Sequence, residues 1–232
     1  ISICENNKVN LGIVFQHRFR KSSIKLKSFI KDNKFGQIFS AQINIPWWRE
    51  QSYYDEPGRG TYKRDGGGVL ISQAIHTLDL AISLLGDVKE VMVMAETTQF
   101  HKMESENFVT GGIKFKNSVI ASLFASTSVF PGSSESIVLH CENATVKLEA
   151  GTLIINWRNG ENEEFGEESG TGGSADPMAF PFDWHKDLIF NFAKSISTNE
   201  KFQITGKEAL KVHYLIDAMI ESSKKNKLIT ME

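Results

Sequence analysis

Residues 136–157, SIVLHCENATVKLEAGTLIINW, decide the fold class of this 232-residue chain. Three short runs rich in β-branched residues are separated by turn residues, which predicts strands at Ser136–Cys141, Ala144–Leu148 and Thr152–Trp157. Consecutive strands joined by such short turns pair in antiparallel fashion. An antiparallel sheet is therefore the centre of the predicted fold.

Further strands and helices surround this sheet in the sequence. Strands are predicted at Gln37–Trp48, Glu90–Thr98, Phe108–Phe115 and Val119–Phe130. Helices are predicted from Ser22, as N-cap, to Asn33, from Gly68 to Leu85, from about Asp183 to Ser197, and after a capping box of Thr205 and Glu208. A run of strands flanked by helices predicts an α+β fold with an open, mainly antiparallel sheet and helices on one face.

Composition excludes several classes of protein. Hydrophobic residues make up 41% and charged residues 23% of the chain, as in folded globular proteins. The formal charge is -2 without a basic block, so we expect neither a nucleic-acid nor a membrane partner. Cys4 and Cys141 lie far apart without metal-ligand spacing, which indicates free thiols and a cytoplasmic location.

Two segments are unlike the rest of the chain. Residues 10–15 form an apolar run typical of a strand buried on both faces, whose neighbours would lie upstream of this chain. Residues 158–180 are acidic and rich in glycine and serine, which predicts a solvated and weakly ordered loop.

The stretch from Asp65 to Asp79, DGGGVLISQAIHTLD, is the densest candidate for chemistry. Three glycines before a helix allow positive φ, and the N–H groups of the helix start favour a phosphate or carboxylate. Ser72, His76 and Asp79 share one face, on which His76 could transfer a proton and Asp79 could fix its tautomer. The alternative is an ordinary solvated helix face.

The loop between residues 47 and 64 combines aromatic rings with arginines. Trp48, Arg49, Tyr53 and Arg59 suit an acidic or nucleotide-linked sugar, because rings stack on sugars and guanidinium groups grip carboxylate or phosphate. Alternatively, Trp47 and Tyr53 simply cover the edge of the core. His185, which follows Trp184, could reach the same cleft or serve only structure.

Several motifs together resemble the Gfo/Idh/MocA family of NAD(P)-dependent oxidoreductases. They cover most of the chain in order, and listed from the N-terminus they are Phe15-Gln16-His17-Arg18-Phe19, Gly36-Gln37-Ile38, Gly66-Gly67-Gly68 through His76 and Asp79, and Thr205-Gly206-Lys207-Glu208-Ala209-Leu210. The stretch from Trp48 to Thr61 looks most like the branch that oxidises nucleotide-linked sugar acids at C3.

The resemblance implies a domain division and a cofactor. Residues 1–16 would be the end of a Rossmann dinucleotide-binding domain, and residues 17–232 the substrate-binding and oligomerisation domain. NAD or NADP would be the cofactor, with Gln16 and Arg18 touching it. Without the main dinucleotide-binding domain, this chain would be inactive by itself. A non-catalytic binding or assembly module is the alternative.

The resemblance also assigns roles at the substrate. His76 would transfer or position a proton at a sugar hydroxyl, with Ser72 standing where the family usually has Asp or Asn. Because Ser72 lacks a carboxylate, it cannot serve as a base. The residues implied to hold substrate are Arg18, Trp48, Arg49, Tyr53, Arg59 and His185. The open sheet would join subunits into a homo-oligomer.

Overall fold

The computed structural model describes residues 1–166 and 181–231. The α-helices are α1 (Ser2–Asn6), α2 (Lys21–Lys31), α3 (Gln51–Tyr54), α4 (Ile75–Leu85), α5 (Asp183–Thr198) and α6 (Gly206–Lys225). The strands are β1 (Ile38–Pro46), β2 (Val88–Glu96), β3 (Phe108–Phe115), β4 (Ile120–Ser126), β5 (Ser136–Cys141), β6 (Ala144–Glu149), β7 (Thr152–Trp157), β8 (Asn162–Phe165) and β9 (Ile229–Thr230). A 3₁₀ turn at Gln16–Phe19 precedes α2, and a π-helical turn at Leu70–Ala74 precedes α4.

These described strands form one open sheet, in the order β8-β7-β6-β5-β1-β4-β3-β2-β9. Within it β1 and β4 are parallel, and the other neighbouring pairs are antiparallel. The predicted open, mainly antiparallel sheet and α+β class are confirmed.

The helices cover one face of the sheet. Along β1, Ala41, Ile43 and Ile45 are buried whereas Gln42 is exposed, which is the alternation expected when one face meets a core. Helix α4 packs against β1 and β5, and α6 packs against β2. Among the described residues, no helix has the length and apolar character needed to cross a bilayer.

The structure corrects some local predictions. The segment at residues 10–15 is not a strand, since its β-pairing consists of a single bridge between Gly12 and Thr205. Ser22 is not an N-cap, because α2 begins one residue earlier and Arg20 occupies the cap position. Thr205 caps α6 as predicted, accepting a hydrogen bond from Glu208 N at 3.3 Å.

The predicted loop at residues 158–180 is partly ordered. Its residues 162–165 form β8, which pairs with β7. The part of this prediction that covers residues 167–180 lies outside the described residues.

Candidate active site

The glycine-rich turn holds an anion that belongs to the chain itself. Gly66 and Gly67 adopt φ values of 82° and 155°, as the sequence predicted for this turn. The buried Glu106 carboxylate accepts hydrogen bonds from Gly68 N at 3.2 Å and Leu70 N at 3.1 Å. The prediction of an external phosphate or carboxylate here is therefore wrong, because Glu106 already compensates these N–H groups.

The π-helical turn at Leu70–Ala74 shifts Ser72 relative to His76 and Asp79, which both lie on the regular helix α4. Ser72 is exposed, His76 is half-buried, and Asp79 is only 1% exposed. A π turn contains an extra residue, which shifts the direction of every side chain that follows it. The alternative of a solvated face is wrong for His76 and Asp79 as well.

Asp79 is bound to Arg18 and not to His76. Arg18 Nε donates to Asp79 Oδ2 at 2.6 Å and Arg18 Nη2 to Oδ1 at 2.5 Å, in a buried bidentate pair. Burial raises the pKa of Asp79, while the hydrogen bond from Arg18 opposes this change. The predicted role of Asp79 in fixing the His76 tautomer is thus corrected, and two of the nitrogens of Arg18 are already used within the chain.

His76 lies among aromatic rings at the edge of the core. The His17 and Phe15 ring centres are 5.4 Å and 5.9 Å from the His76 ring centre. Burial lowers the pKa of His76 to about 4, and the positive charges of His185 and Arg20 add to this effect. His76 is therefore neutral at pH 7. His76 and His185, which the sequence analysis proposed separately, thus belong to one neighbourhood.

A buried ionic cluster adjoins these histidines. Arg20 Nη1 lies 2.7 Å from Glu135 Oε1, Arg20 Nη2 lies 2.8 Å from His17 Nε2, and the guanidinium carbon lies 4.3 Å from the Trp184 ring centre. Arg20, Glu135 and His17 are 3%, 2% and 5% exposed. Sequence reasoning missed these three residues. The positions of His17 and Arg20 on either side of Arg18 were the available signal, whereas nothing local distinguishes Glu135.

The same cluster connects His76 to the aromatic loop. Trp47 Nε1 donates to Glu135 Oε2 at 3.3 Å, and the Arg49 guanidinium carbon lies 5.3 Å from the Trp47 ring centre and 5.5 Å from that of Tyr53. Contacts therefore run continuously from His76 through His17, Arg20 and Glu135 to the loop.

Within the loop, the proposed substrate residues have different environments. Arg59 Nη1 donates to the Tyr53 hydroxyl at 2.7 Å, and its guanidinium carbon lies 4.2 Å from the Tyr53 ring centre. The Arg59 side chain is 30% exposed and pairs with Glu56. Trp48, in contrast, is buried between Phe100 and Phe130 at ring distances of 4.7 Å and 5.2 Å, so it covers the core edge.

A cavity of 650 Å³ borders the site. Arg20 and Trp184 line it together with charged residues of α5, Asp183, Lys186 and Asp187. Its volume lies in the range of small-molecule sites. The buried Gln16 lies beside the cluster in sequence, and its side-chain oxygen accepts no hydrogen bond from the described residues.

The buried histidines predict a pH-dependent stability. Because the folded state holds His76 at a pKa of about 4, below its ordinary 6.5, the unfolded state binds more protons between these values. Stability should fall by about 2 kcal/mol as the pH decreases from 7 to 5 through His76 alone. Burial also lowers the pKa of His17, which likewise reduces stability as the pH decreases. Burial raises the pKa values of Asp79 and Glu106, so these two groups act oppositely, from their ordinary values of 3.8 and 4.5 upward.

Urea unfolding at pH 7 and pH 5 measures this loss. His76→Asn should reduce this pH dependence. Equal pH dependence in His76→Asn and the parent chain would contradict the neutral, buried state of His76.

Known proteins share the sequence pattern of this chain. The sequence profile of the GFO/IDH/MocA C-terminal domain matches residues 23–147. The uncharacterized protein YMR315W of Saccharomyces cerevisiae is 25% identical in an alignment of length 172 that covers 69% of this chain and 47% of that protein.

Solved structures share the fold over nearly the whole chain. The WlbA dehydrogenase of Chromobacterium violaceum, solved with NADH and UDP-GlcNAcA, has a TM-score of 0.80 at 25% identity, covering 100% of this chain and 65% of that one. The Bordetella pertussis WlbA dehydrogenase, solved with the same ligands, has a TM-score of 0.80 at 22% identity, covering 100% and 66%. This chain thus spans about half of the yeast relative and less than two thirds of the WlbA chains.

Proposed function

Since the chain belongs to the GFO/IDH/MocA family, we propose that it is the substrate-binding and assembly part of an NAD(P)-dependent oxidoreductase. Its substrate would be a secondary alcohol of a sugar, sugar acid or nucleotide-linked sugar. The observation that carries this proposal is the neutral, half-buried His76, linked through buried polar contacts to a loop of arginines and tyrosines. The WlbA ligands are consistent with it.

His76 is proposed to hydrogen-bond the oxygen on the reacting carbon. A pKa of about 4 makes the imidazole a weak base at pH 7, so orientation of the hydroxyl is favoured over its deprotonation. Ser72 lies about one helical turn before His76, and its side chain is exposed to solvent. We assign it at most a contact with the substrate hydroxyls.

The anionic part of the substrate is assigned to the aromatic loop. Arg59 is 30% exposed and stacked on Tyr53, so a carboxylate or phosphate can reach it from solvent, where it would compete with Glu56 for the guanidinium group. Arg49 lies beside the same ring. Arg18 is a weaker candidate for the substrate and the cofactor, because Asp79 binds two of its nitrogens.

The residues of this chain fit the nicotinamide end of NAD(P) at one position. The Gln16 side-chain oxygen is a buried acceptor that no described residue uses, and the carboxamide of nicotinamide carries a matching N–H donor. When bound, the cofactor would supply hydride acceptance. We propose that residues 1–16 continue a dinucleotide-binding domain and that residues 17–232 alone do not turn over substrate.

The test is hydride turnover in the native protein that carries these residues. NADH and NADPH formation is followed by absorbance with UDP-GlcNAcA, free sugar acids and neutral sugars as substrates. His76→Asn should lower kcat/KM by roughly 10²–10³-fold, as expected when one hydrogen bond to the reacting oxygen is removed. His213→Asn is the control and should leave kcat/KM unchanged.

Two outcomes would decide against parts of this proposal. Turnover that survives His76→Asn would remove His76 from the reaction. Stabilisation by UDP-GlcNAcA without any turnover would favour the binding or assembly module instead.

The uncovered face of the sheet is proposed to join subunits. On this face, Met92 and Met94 of β2 and Ile120 of β4 are 52%, 58% and 59% exposed, and only β3 separates the two strands. Large exposed apolar side chains so close together are typical of a protein–protein contact surface. Replacing Met92 and Met94 by lysine should convert an oligomer into monomers in light scattering. Ile189→Lys, at an exposed apolar position on α5, should not. A parent chain that is monomeric at micromolar concentration would contradict the proposal.

A further inference from the structure

The neighbours of His17 determine which of its two ring nitrogens carries the proton. Arg20 Nη2 lies 2.8 Å from His17 Nε2, and a guanidinium group can only donate hydrogen bonds. His17 Nε2 therefore accepts. Since burial keeps the ring neutral at pH 7, its proton is on Nδ1.

Arg20 is held in this orientation from two other directions. Glu135 lies 2.7 Å from Nη1, and the Trp184 ring stacks on the guanidinium plane at 4.3 Å. Both charged side chains are almost fully buried, so neither can turn toward water without losing its partner. The tautomer of His17 is consequently a fixed property of the fold.

Two ring nitrogens beside this cluster can act as donor and acceptor to each other. His17 Nδ1 and His76 Nδ1 are both buried, and neither has a hydrogen-bond partner among the described residues. The ring centres are 5.4 Å apart and the planes are inclined by 42°. Ring centres at this separation allow a hydrogen bond when the two Nδ1 atoms face each other, and hydrogen bonds of this kind often tighten only when a ligand binds.

We propose that His17 is the positioning residue for His76, donating from Nδ1–H to His76 Nδ1 and so holding His76 as the tautomer with its proton on Nε2. This is the role that the sequence assigned to Asp79, which the structure pairs with Arg18. The consequence for chemistry rests on the proposed oxidoreductase function. His76 presents an N–H donor to the oxygen of the reacting carbon, so it orients and polarises that oxygen.

The tautomers are measurable on the chain alone. Two-bond ¹⁵N–¹H correlation NMR on protein labelled at its six histidines distinguishes Nδ1–H from Nε2–H rings at pH 7. We expect His17 to carry its proton on Nδ1 and His76 on Nε2. A His76 proton on Nδ1 would overturn the proposal, even before any variant is made.

Two substitutions separate positioning from packing. His17→Leu removes the donor and should lower the Nε2–H to Nδ1–H ratio of His76 by about fivefold, the effect of one net hydrogen bond. His17→Asn returns an amide N–H near the position of Nδ1 and should restore the ratio. His213→Asn is the control. A merely structural role would change thermal stability in both variants and leave the His76 tautomer unmoved, which would also overturn the proposal.

The test stays interpretable if His17→Leu does not fold, because the parent chain and His17→Asn then decide it. It uses neither substrate nor dinucleotide. Absence of turnover would therefore count against the proposed function, whereas a wrong tautomer counts against His17.

Discussion

Glu135→Leu is expected to lower the free energy of unfolding by about 3–5 kcal/mol, the cost of leaving a buried charge without its partner. Arg20 is 3% exposed, and its other neighbours, the neutral His17 and the Trp184 ring, cannot compensate a positive charge as a carboxylate does. Urea denaturation at pH 7 measures the change.

The double variant Arg20→Met with Glu135→Leu tests the reason for this loss. Replacing a buried ion pair by apolar residues of similar volume is often nearly neutral, so most of the stability should return. Glu221→Leu, which breaks an exposed pair with Lys225, is the control and should change stability little. A double variant as unstable as Glu135→Leu would mean that packing, and not charge, explains the loss.

Gly68→Ala should be the most damaging substitution in the glycine-rich turn. A Cβ at Gly68 would lie 1.8 Å from the Glu106 carbonyl oxygen and 2.8 Å from the Glu106 nitrogen, and neither backbone atom can move alone. We expect a loss of at least about 3 kcal/mol, at the upper end of overpacking effects. The same shift would displace the Glu106 carboxylate from the N–H groups that precede α4.

Gly112→Ala is the matched control, measured by thermal unfolding beside Gly68→Ala. The nearest atom to a Cβ there is the Ala121 oxygen at 3.9 Å, an ordinary contact. Alanine should raise stability by about 0.5–1 kcal/mol, because glycine loses more chain entropy on folding. Similar losses in the two variants would show that steric contact with Glu106 is not the cause.

Most of the fold was predictable because its signals are local. Alternating apolar residues and short turns predict the strands within residues 136–157. The four-residue capping box from Thr205 to Glu208 predicts where α6 begins. Patterns of this kind depend only on neighbours in the chain, so they survive without knowledge of the tertiary structure.

The site was less predictable because its contacts are distant in sequence. His76 was found from the glycines before it, but regular helical spacing does not predict the π turn at Leu70–Ala74. The contacts that shape the site join residues far apart in the sequence. Glu106 binds the glycine-rich turn, Arg18 binds Asp79 and Glu135 binds Arg20. The neighbouring sequence does not distinguish these charged residues from exposed ones, because only the folded structure buries them.

The position of β1 has a consequence for how the chain reaches its fold. β1 precedes the other described strands in sequence, yet it lies mid-sheet, where Ile43 pairs with Leu123 of β4 and Ile137 of β5. The two partners of β1 both come from residues much later in the chain, so neither edge of β1 finds its described partner until they are synthesised. Such long-range pairing slows folding and exposes strand edges to other chains. We therefore expect assembly of the sheet to limit the folding rate and this step to be the one that chaperones assist.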